Sequence, residues 1–228
     1  MKELKFIKKI GIESKDFTAI KEAVEKAEKN TDGEIALAVI KESDDYSKYE
    51  LVSGLIVAAA AFLALLPFSD SINCFLNTTF WYPATWYLPA FVGLIAAVVT
   101  GIFFIIANIP VVDRFIIPKR EKNERVYTRA LRHFMESGIY KTKNRAGILI
   151  FISVMERKVF VLADEGINAK IEHGEWQSVC NKICDGIKQK QAGKVLCEAV
   201  ADCGEKLAKY FPAKNINPNE LPDGLVVL

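Results

Sequence analysis

The sequence predicts an α/β protein: an α/β/α sandwich with a small mixed sheet, interrupted by a two-helix transmembrane hairpin. Three observations carry that expectation. Stretches with apolar residues three and four apart alternate with short apolar runs of strand length, the mark of alternating helices and strands. From Leu51 to Val112 the only charged residue is Asp70, although the rest of the 228-residue chain is richly charged. Two of the strand candidates lie on either side of a helix, and a strand–helix–strand unit pairs in parallel through a right-handed crossover. The chain therefore divides into residues 1–50, the first part of a soluble domain; 51–112, a transmembrane helical hairpin; and 113–228, the remainder of the same domain.

Asp16 to Lys29 places Phe17, Ile20, Ala23, Val24 and Ala27 on one helical stripe. "NTDG" is a turn. Glu34 to Ile40 (EIALAVI) is short and mostly apolar, as in a strand covered on both faces. After the interruption, Glu124 to Ser137 is a helix with Val126, Ala130, Leu131 and Phe134 inward, and Gly138 suits its end. "YKTKNRAG" is a loop. Gly147 to Val154 and Lys158 to Ala163, joined by "MERK", form an antiparallel hairpin. Trp176 to Ile187 lines up Trp176, Val179, Cys180, Ile183, Cys184 and Ile187. Val195 to Phe211 lines up Leu196, Ala199, Val200, Cys203 and Leu207. Leu225 to Leu228 is a short final strand.

Leu51 to Pro67 and Tyr87 to Val112 are each near the ~20 residues that cross ~30 Å of hydrocarbon. Trp81, Tyr82, Trp86 and Tyr87, in and beside the intervening loop, suit a membrane–water interface. That loop carries no Lys or Arg, whereas Arg114 to Arg145 holds ten against three acids. The asymmetry predicts an external loop, both termini cytoplasmic, and a two-span protein of the cell membrane. Four of the five cysteines then face a reducing compartment, and Cys74 alone lies outside. The N-terminus lacks the apolar core of a signal peptide. The net charge of +2 is uninformative, but topology and anionic lipid account for the basic excess after the second span and no nucleic-acid motif is present, which sets nucleic acid aside as a partner and leaves the lipid bilayer and a protein.

No Walker, dinucleotide or nucleophile-elbow motif is present. His133 and His173 have no patterned ligand partners and read as surface residues. The spacing Cys180-x3-Cys184 could suggest zinc. The apolar helical face that carries both cysteines favours core packing instead. Catalytic and cofactor-binding residues are therefore not assigned. Acidic residues are the candidate site. Parallel pairing of the first two strands sets Asp32 and Glu34 at the same sheet edge as Asn144 and Arg145, and the antiparallel third strand returns Asp164 and Glu165 there. Four carboxylates and one guanidinium are then gathered. Such oxygen-rich loops bind hard cations, calcium or magnesium, and the alternative is ordinary turn chemistry with Glu34 paired to Arg145. The opposite edge carries Glu42, Asp44, Asp45, Glu156 and Arg157. It lies at the carboxyl ends of the parallel strands, where α/β ligands sit, but it leads into the spans, so its charges read as headgroup-level contacts.

The succession "NTDGEIALAVI", "GIYKTKNRAGILIFISVMERKVFVLADEGI", two helices and "NELPD" resembles the TPM domain family. Thr31, Gly33, Glu34, Ile35, Gly138, Gly147, Arg157 and Gly166 fall at the positions that carry the likeness, which spans nearly all of the soluble part. Members often hold the domain outside the cytoplasm with a separate anchor; here charge sets it inside and the anchor interrupts it. The resemblance implies a membrane-anchored module, non-catalytic, that binds a protein partner or assists a membrane complex. The runner-up it implies is a weak divalent-cation-dependent phosphatase. A third reading makes the hairpin itself the active part of a membrane assembly.

Overall fold

A computed structural model describes residues 3–107, 114, 116–142, 145–213 and 221–228. Asn144, residues 108–112 of the second expected span, and Asn219 and Glu220 lie outside the described residues. The chain forms two compact units, Met1–Asp44 with Arg120–Leu228, and Asp45–Lys119.

The first unit is an α/β body. Its four-stranded sheet has the order β3-β2-β1-β4, with β1 Glu34–Ile40, β2 Gly147–Ser153, β3 Lys158–Ala163 and β4 Leu225–Val227. β1 pairs in parallel with β2 from Glu34↔Gly147 to Ile40↔Ser153. β2 pairs antiparallel with β3, and β4 runs parallel to β1 on its other side. The parallel pairing, the hairpin and the short last strand agree with the sequence expectation. β1 and β2 read as continuous apolar runs because both faces of the sheet are covered.

On one face, Ile35, Leu37, Val39, Ile148, Ile150 and Ile152 meet helices α1 (Glu3–Lys9), α2 (Ser14–Glu28), α8 (His173–Lys188) and α9 (Ala192–Tyr210). On the other, Ala38, Ile40, Leu149 and Phe151 meet one helix, α6 (Lys119–Glu136), through Val126, Ala130 and Phe134. Leu131, expected inward, is 42% exposed. One helix cannot cover both outer strands of this face, so its flank, Tyr127, Leu131 and Met135, stays open to solvent. Gly138 ends α6 in the left-handed region (φ 76°), as expected from sequence. α1 was not foreseen: seven residues carry too little periodicity, and its place is set by tertiary burial of Ile7, Ile10 and Ile12.

In the second unit, α3 (Ser47–Leu65) passes through a 3₁₀ turn at Leu66–Phe68 into α4 (Ser69–Thr79), and α5 (Tyr87–Ala107) returns. Residues 69–79 were expected in a loop. Pro67 permits the continuation because it sits at the start of the 3₁₀ turn, where its missing N–H is not needed. Leu76 is buried, and Phe75 meets Phe91 of α5 at 6.1 Å between centroids. Gly54 lies close against the Phe104 ring of α5. Ser47–Thr79 and Tyr87–Ala107 are long and apolar enough to cross a membrane, and they are largely exposed: 6% and 17% of their most apolar windows are buried.

Candidate functional site: the two ends of the sheet

The expected acidic edge is built on one row of the sheet. Glu34 pairs with Gly147, and the Asp164 N–H donates to the Gly147 carbonyl at 2.9 Å. Residues in one such row point to the same face. Gly147 has no side chain, and Ile139 takes the vacated space. A Cβ at position 147 would stand 2.5 Å from Ile139 Cγ2 and 2.6 Å from its carbonyl oxygen. Ile139, fully buried, thus lies over the middle position of the row whose ends are Glu34 and Asp164. The edge is thereby divided into two groups. Among the described residues, no cluster of three or more His, Cys, Asp and Glu is arranged to hold a metal ion.

One group holds Asp164, Glu165 and Arg145. Asp164 starts the short helix α7 (Glu165–Asn168) by accepting from the Glu165 N–H at 2.7 Å. Its second oxygen, Oδ2, is buried and has no hydrogen-bond partner among the described residues. Arg145 stands at a left-handed turn position (φ 47°), and its Nη1 donates to Glu165 Oε2 at 2.6 Å, with both side chains largely exposed. The guanidinium thus pairs with Glu165 rather than being drawn to Glu34.

The other group holds Glu34, Glu28 and Asp223. Glu28 Oε1 accepts from the Ile35 N–H at 2.8 Å, and Glu34 and Asp223 are near enough for their charges to act on it. Burial pushes the Glu28 carboxyl up to about 8; the Ile35 amide opposes that, and the neighbouring Glu34 and Asp223 charges reinforce it. Glu28 therefore carries a proton near neutrality. Asp32 sits nearby on the turn, its N–H donating to the Phe211 carbonyl at 3.0 Å. Thr31 braces the same turn: its hydroxyl donates to Phe211 O at 2.7 Å and accepts from the Gly33 N–H at 3.0 Å. Sequence reasoning missed Glu28 and Asp223. The signal for Glu28 was available, because positions 20, 24 and 28 continue one buried stripe of α2 and the last of them is a glutamate. Asp223 was visible only as part of "NELPD".

At the opposite end, Glu156 is a fastener. It is buried, Oε1 accepts from the Ser43 N–H at 2.8 Å, and Oε2 accepts from the Ser153 hydroxyl. Ser43 Oγ donates to Ser153 Oγ at 2.9 Å. The headgroup reading of Glu156 is thus corrected: it faces inward because the β2–β3 turn folds it under the end of β1. Asp44 likewise pairs with Arg125 of α6 at 2.8 Å. The last two residues before the apolar unit are held by groups of the α/β body.

Cys180 and Cys203 are buried and Cys184 half-buried, all against the core, in agreement with their reading as packing residues. Burial raises the Cys180 thiol to about 11, the Val161 amide working against it, and raises Cys184 with the Val159 amide opposing. These amides lie on the open edge of β3, so α8 covers that edge and blunts it. His133, expected at the surface, is half-buried with its ring 6.3 Å from Phe151; burial and then Arg129 lower its pKa. The side chain of His173 lies outside the described residues.

Residues 110–206 match the family described as TPM domain. The fold agrees: the NMR structure of BA42 protein from the psychrophilic bacterium Bizionia argentinensis superposes with a TM-score of 0.56 at 21% identity, covering 95% of each chain. At that identity the likeness concerns the fold. No curated protein matches. The TPM match includes β2, β3 and Gly147, Asp164 and Glu165, but not Glu28, Glu34 or Asp223, which lie on either side of it.

Proposed function

We propose that this chain is a membrane-tethered TPM-like module, with both termini cytoplasmic, whose α/β unit binds a protein partner or assists a membrane complex without turnover. The observation that carries this reading is the way the apolar unit is joined on. Ser43 and Asp44 are pinned by Glu156, Ser153 and Arg125, so the interruption leaves the sheet at a fixed point. A tether needs such an anchorage. The apolar, outward-facing surfaces of α3 and α5 would be costly in water and are suited to lipid. A groove of about 340 Å³ beside the open flank of α6, lined in part by Tyr127, Leu131, Phe160 and Trp176, offers a partner apolar surface.

Two experiments test this. Impermeant thiol labelling of intact cells should modify Cys74, which is exposed, and spare Cys180 and Cys203. Labelling of a reporter thiol at either terminus would reverse the orientation. Affinity purification in mild detergent should recover a partner that is lost on Leu131→Glu and retained when the apolar helices are exchanged for an unrelated hairpin. Loss on exchange alone would favour the hairpin as the active part.

The second reading, a weak divalent-cation-dependent phosphatase, draws on the buried Oδ2 of Asp164, which has no partner among the described residues. A phosphomonoester assay with calcium or magnesium, abolished by Asp164→Asn, would support it.

A further inference from the structure

One face of the sheet is left partly uncovered. α6 lies over β1 and β2, packing on Ala38, Ile40, Leu149 and Phe151. Neighbouring strands stand about 4.8 Å apart and a helix is about 10 Å across, so one helix covers two strands. β3 is the next strand out. Its Phe160 and Leu162 pair with Phe151 and Leu149, so they point to the same face, and both are only half-buried. Beside them the Tyr127 and Leu131 flank of α6 is 46% and 42% exposed. These four side chains line the groove of about 340 Å³, and Trp176, near the start of α8, lines it too.

Trp176 brings a polar demand to this apolar strip. It is 3% exposed, and its indole N–H has no hydrogen-bond acceptor among the described residues. A buried tryptophan ordinarily pairs its N–H, and a buried donor left without a partner is costly. An indole nitrogen donates only, so the demand is for an acceptor. The amides beside it are engaged elsewhere: Asn168 donates to the Ala163 carbonyl at 2.7 Å and Gln177 to Asn181 at 3.0 Å.

We propose that the groove receives an amphipathic helix of the partner protein, laid beside α6 over β3, and that a side-chain acceptor bordering its apolar stripe takes the N–H of Trp176. Packed helices stand about 8–10 Å apart, and at that spacing from α6 a second helix lies over β3 and its outer side. The occupant is a helix and not an added strand because α8 already covers the outer edge of β3. Its contact face is apolar because no lining residue of the groove is charged, so neither a phosphate headgroup nor a charged peptide finds a counter-charge there. In the free chain the indole N–H is covered, and the acceptor meets it as the ring turns toward the groove. The apolar walls then supply affinity and Trp176 supplies selection, since a helix without the acceptor leaves the donor unpaired.

This deepens the partner reading and rests on it for placing a protein in the groove. The test uses the full chain in lipid nanodiscs, isotope-labelled at tryptophan, and two synthetic helical peptides with one leucine stripe. They differ in carrying Gln or Leu at the positions bordering that stripe. Trp176 is identified among the three tryptophans by the signal missing from Trp176→Phe. The Gln-bordered peptide should move the indole N–H resonance downfield and bind about fivefold tighter than the Leu-bordered one. Trp176→Phe, which keeps an aromatic body without the donor, should bind the two alike, measured by anisotropy of labelled peptide against empty nanodiscs. Leu131→Glu, at an exposed position, should weaken both. An unmoved resonance, equal binding of the two peptides by the wild type, or the same preference in Trp176→Phe would overturn the proposal. A resonance that moves with the chain's own concentration, without peptide, would give the groove to a second copy and overturn it as well. No cellular partner enters this experiment, so failure to recover one in detergent and failure of Trp176 to respond are separate results.

Discussion

Each end of the sheet buries a glutamate, and the two are satisfied differently. Glu156 receives a backbone N–H on one oxygen and a hydroxyl on the other, with a second serine behind. Glu28 receives one backbone N–H and otherwise faces two more carboxylates. A buried carboxylate with donors on both oxygens has its hydrogen-bonding demand met, whereas one with acidic neighbours must keep its proton or repel them. The first end holds Ser43 and Asp44, the last residues of the α/β body before the apolar unit begins. The second is an acidic cluster whose contribution to stability depends on a proton.

The largest expected effect lies at the first end. Glu156→Ala leaves the Ser43 N–H and the Ser153 hydroxyl buried without their acceptor. It should cost about 3 kcal/mol, read as a fall in melting temperature of the detergent-solubilised chain. Glu156→Gln keeps one acceptor and should cost less. If the two variants melt like the wild type, the serine–glutamate network is not what secures the junction.

Next is the divider within the acidic edge. Gly147→Ala drives a methyl group into Ile139, whose backbone carbonyl cannot move aside without shifting its turn. A loss of about 2 kcal/mol is expected, and Ile139→Ala in the same chain should recover only part of it, because the carbonyl clash remains. Full recovery would mean that the side chain alone separates Glu34 from Asp164.

The proton-dependent cluster gives a third, smaller effect per unit of pH. The Glu28 carboxyl is raised from 4.5 to about 8 in the folded state. Between those values the unfolded chain has lost the proton that the folded chain retains. Stability from this group is therefore fully present below about 4.5 and is lost as pH rises through about 8. One group contributes a slope of at most ~1.4 kcal/mol per pH unit. Glu28→Gln should flatten urea-derived stability over this window, and an unchanged slope would assign the pH dependence elsewhere.

Most of the sheet was legible because its residues obey local rules. EIALAVI and GILIFIS can only be covered strands, the chain order dictates their parallel pairing, and Gly138 announces the end of α6. The buried stripes of α8 and α9 were equally plain. What was not legible depends on long-range placement. Leu131 falls on the helical stripe yet is exposed, because the width of the uncovered face is a property of the sheet and not of α6. Topology assigns the acidic residues to one edge without saying what lies between them. Ile139 over Gly147, and the Asp223 charge brought near Glu28, depend on segments that no local rule relates.

The smallest expected effect concerns the other half of that edge. Arg145 and Glu165 form an exposed pair, and exposed pairs contribute little, so Arg145→Ala should change stability by ~0.5 kcal/mol or less. If the guanidinium already balances Asp164 and Glu165, added calcium or magnesium has nothing to bind. The buried Oδ2 of Asp164 argues for a residual demand, because an acceptor without a donor is costly to bury. A cation that binds only the folded chain stabilises it by RT ln(1 + [L]/Kd). We therefore expect a small rise in melting temperature at millimolar calcium or magnesium, reversed by chelator, enlarged in Arg145→Ala, where the competing charge is gone, and absent in Asp164→Asn. Enlargement in the alanine variant is the informative part. A cation that replaces the guanidinium must compete with it, whereas one bound elsewhere on the surface would not respond to its removal. If neither the wild type nor Arg145→Ala responds to cation, Asp164 is a helix cap and nothing more. The phosphatase reading then loses the group it would use to hold its metal.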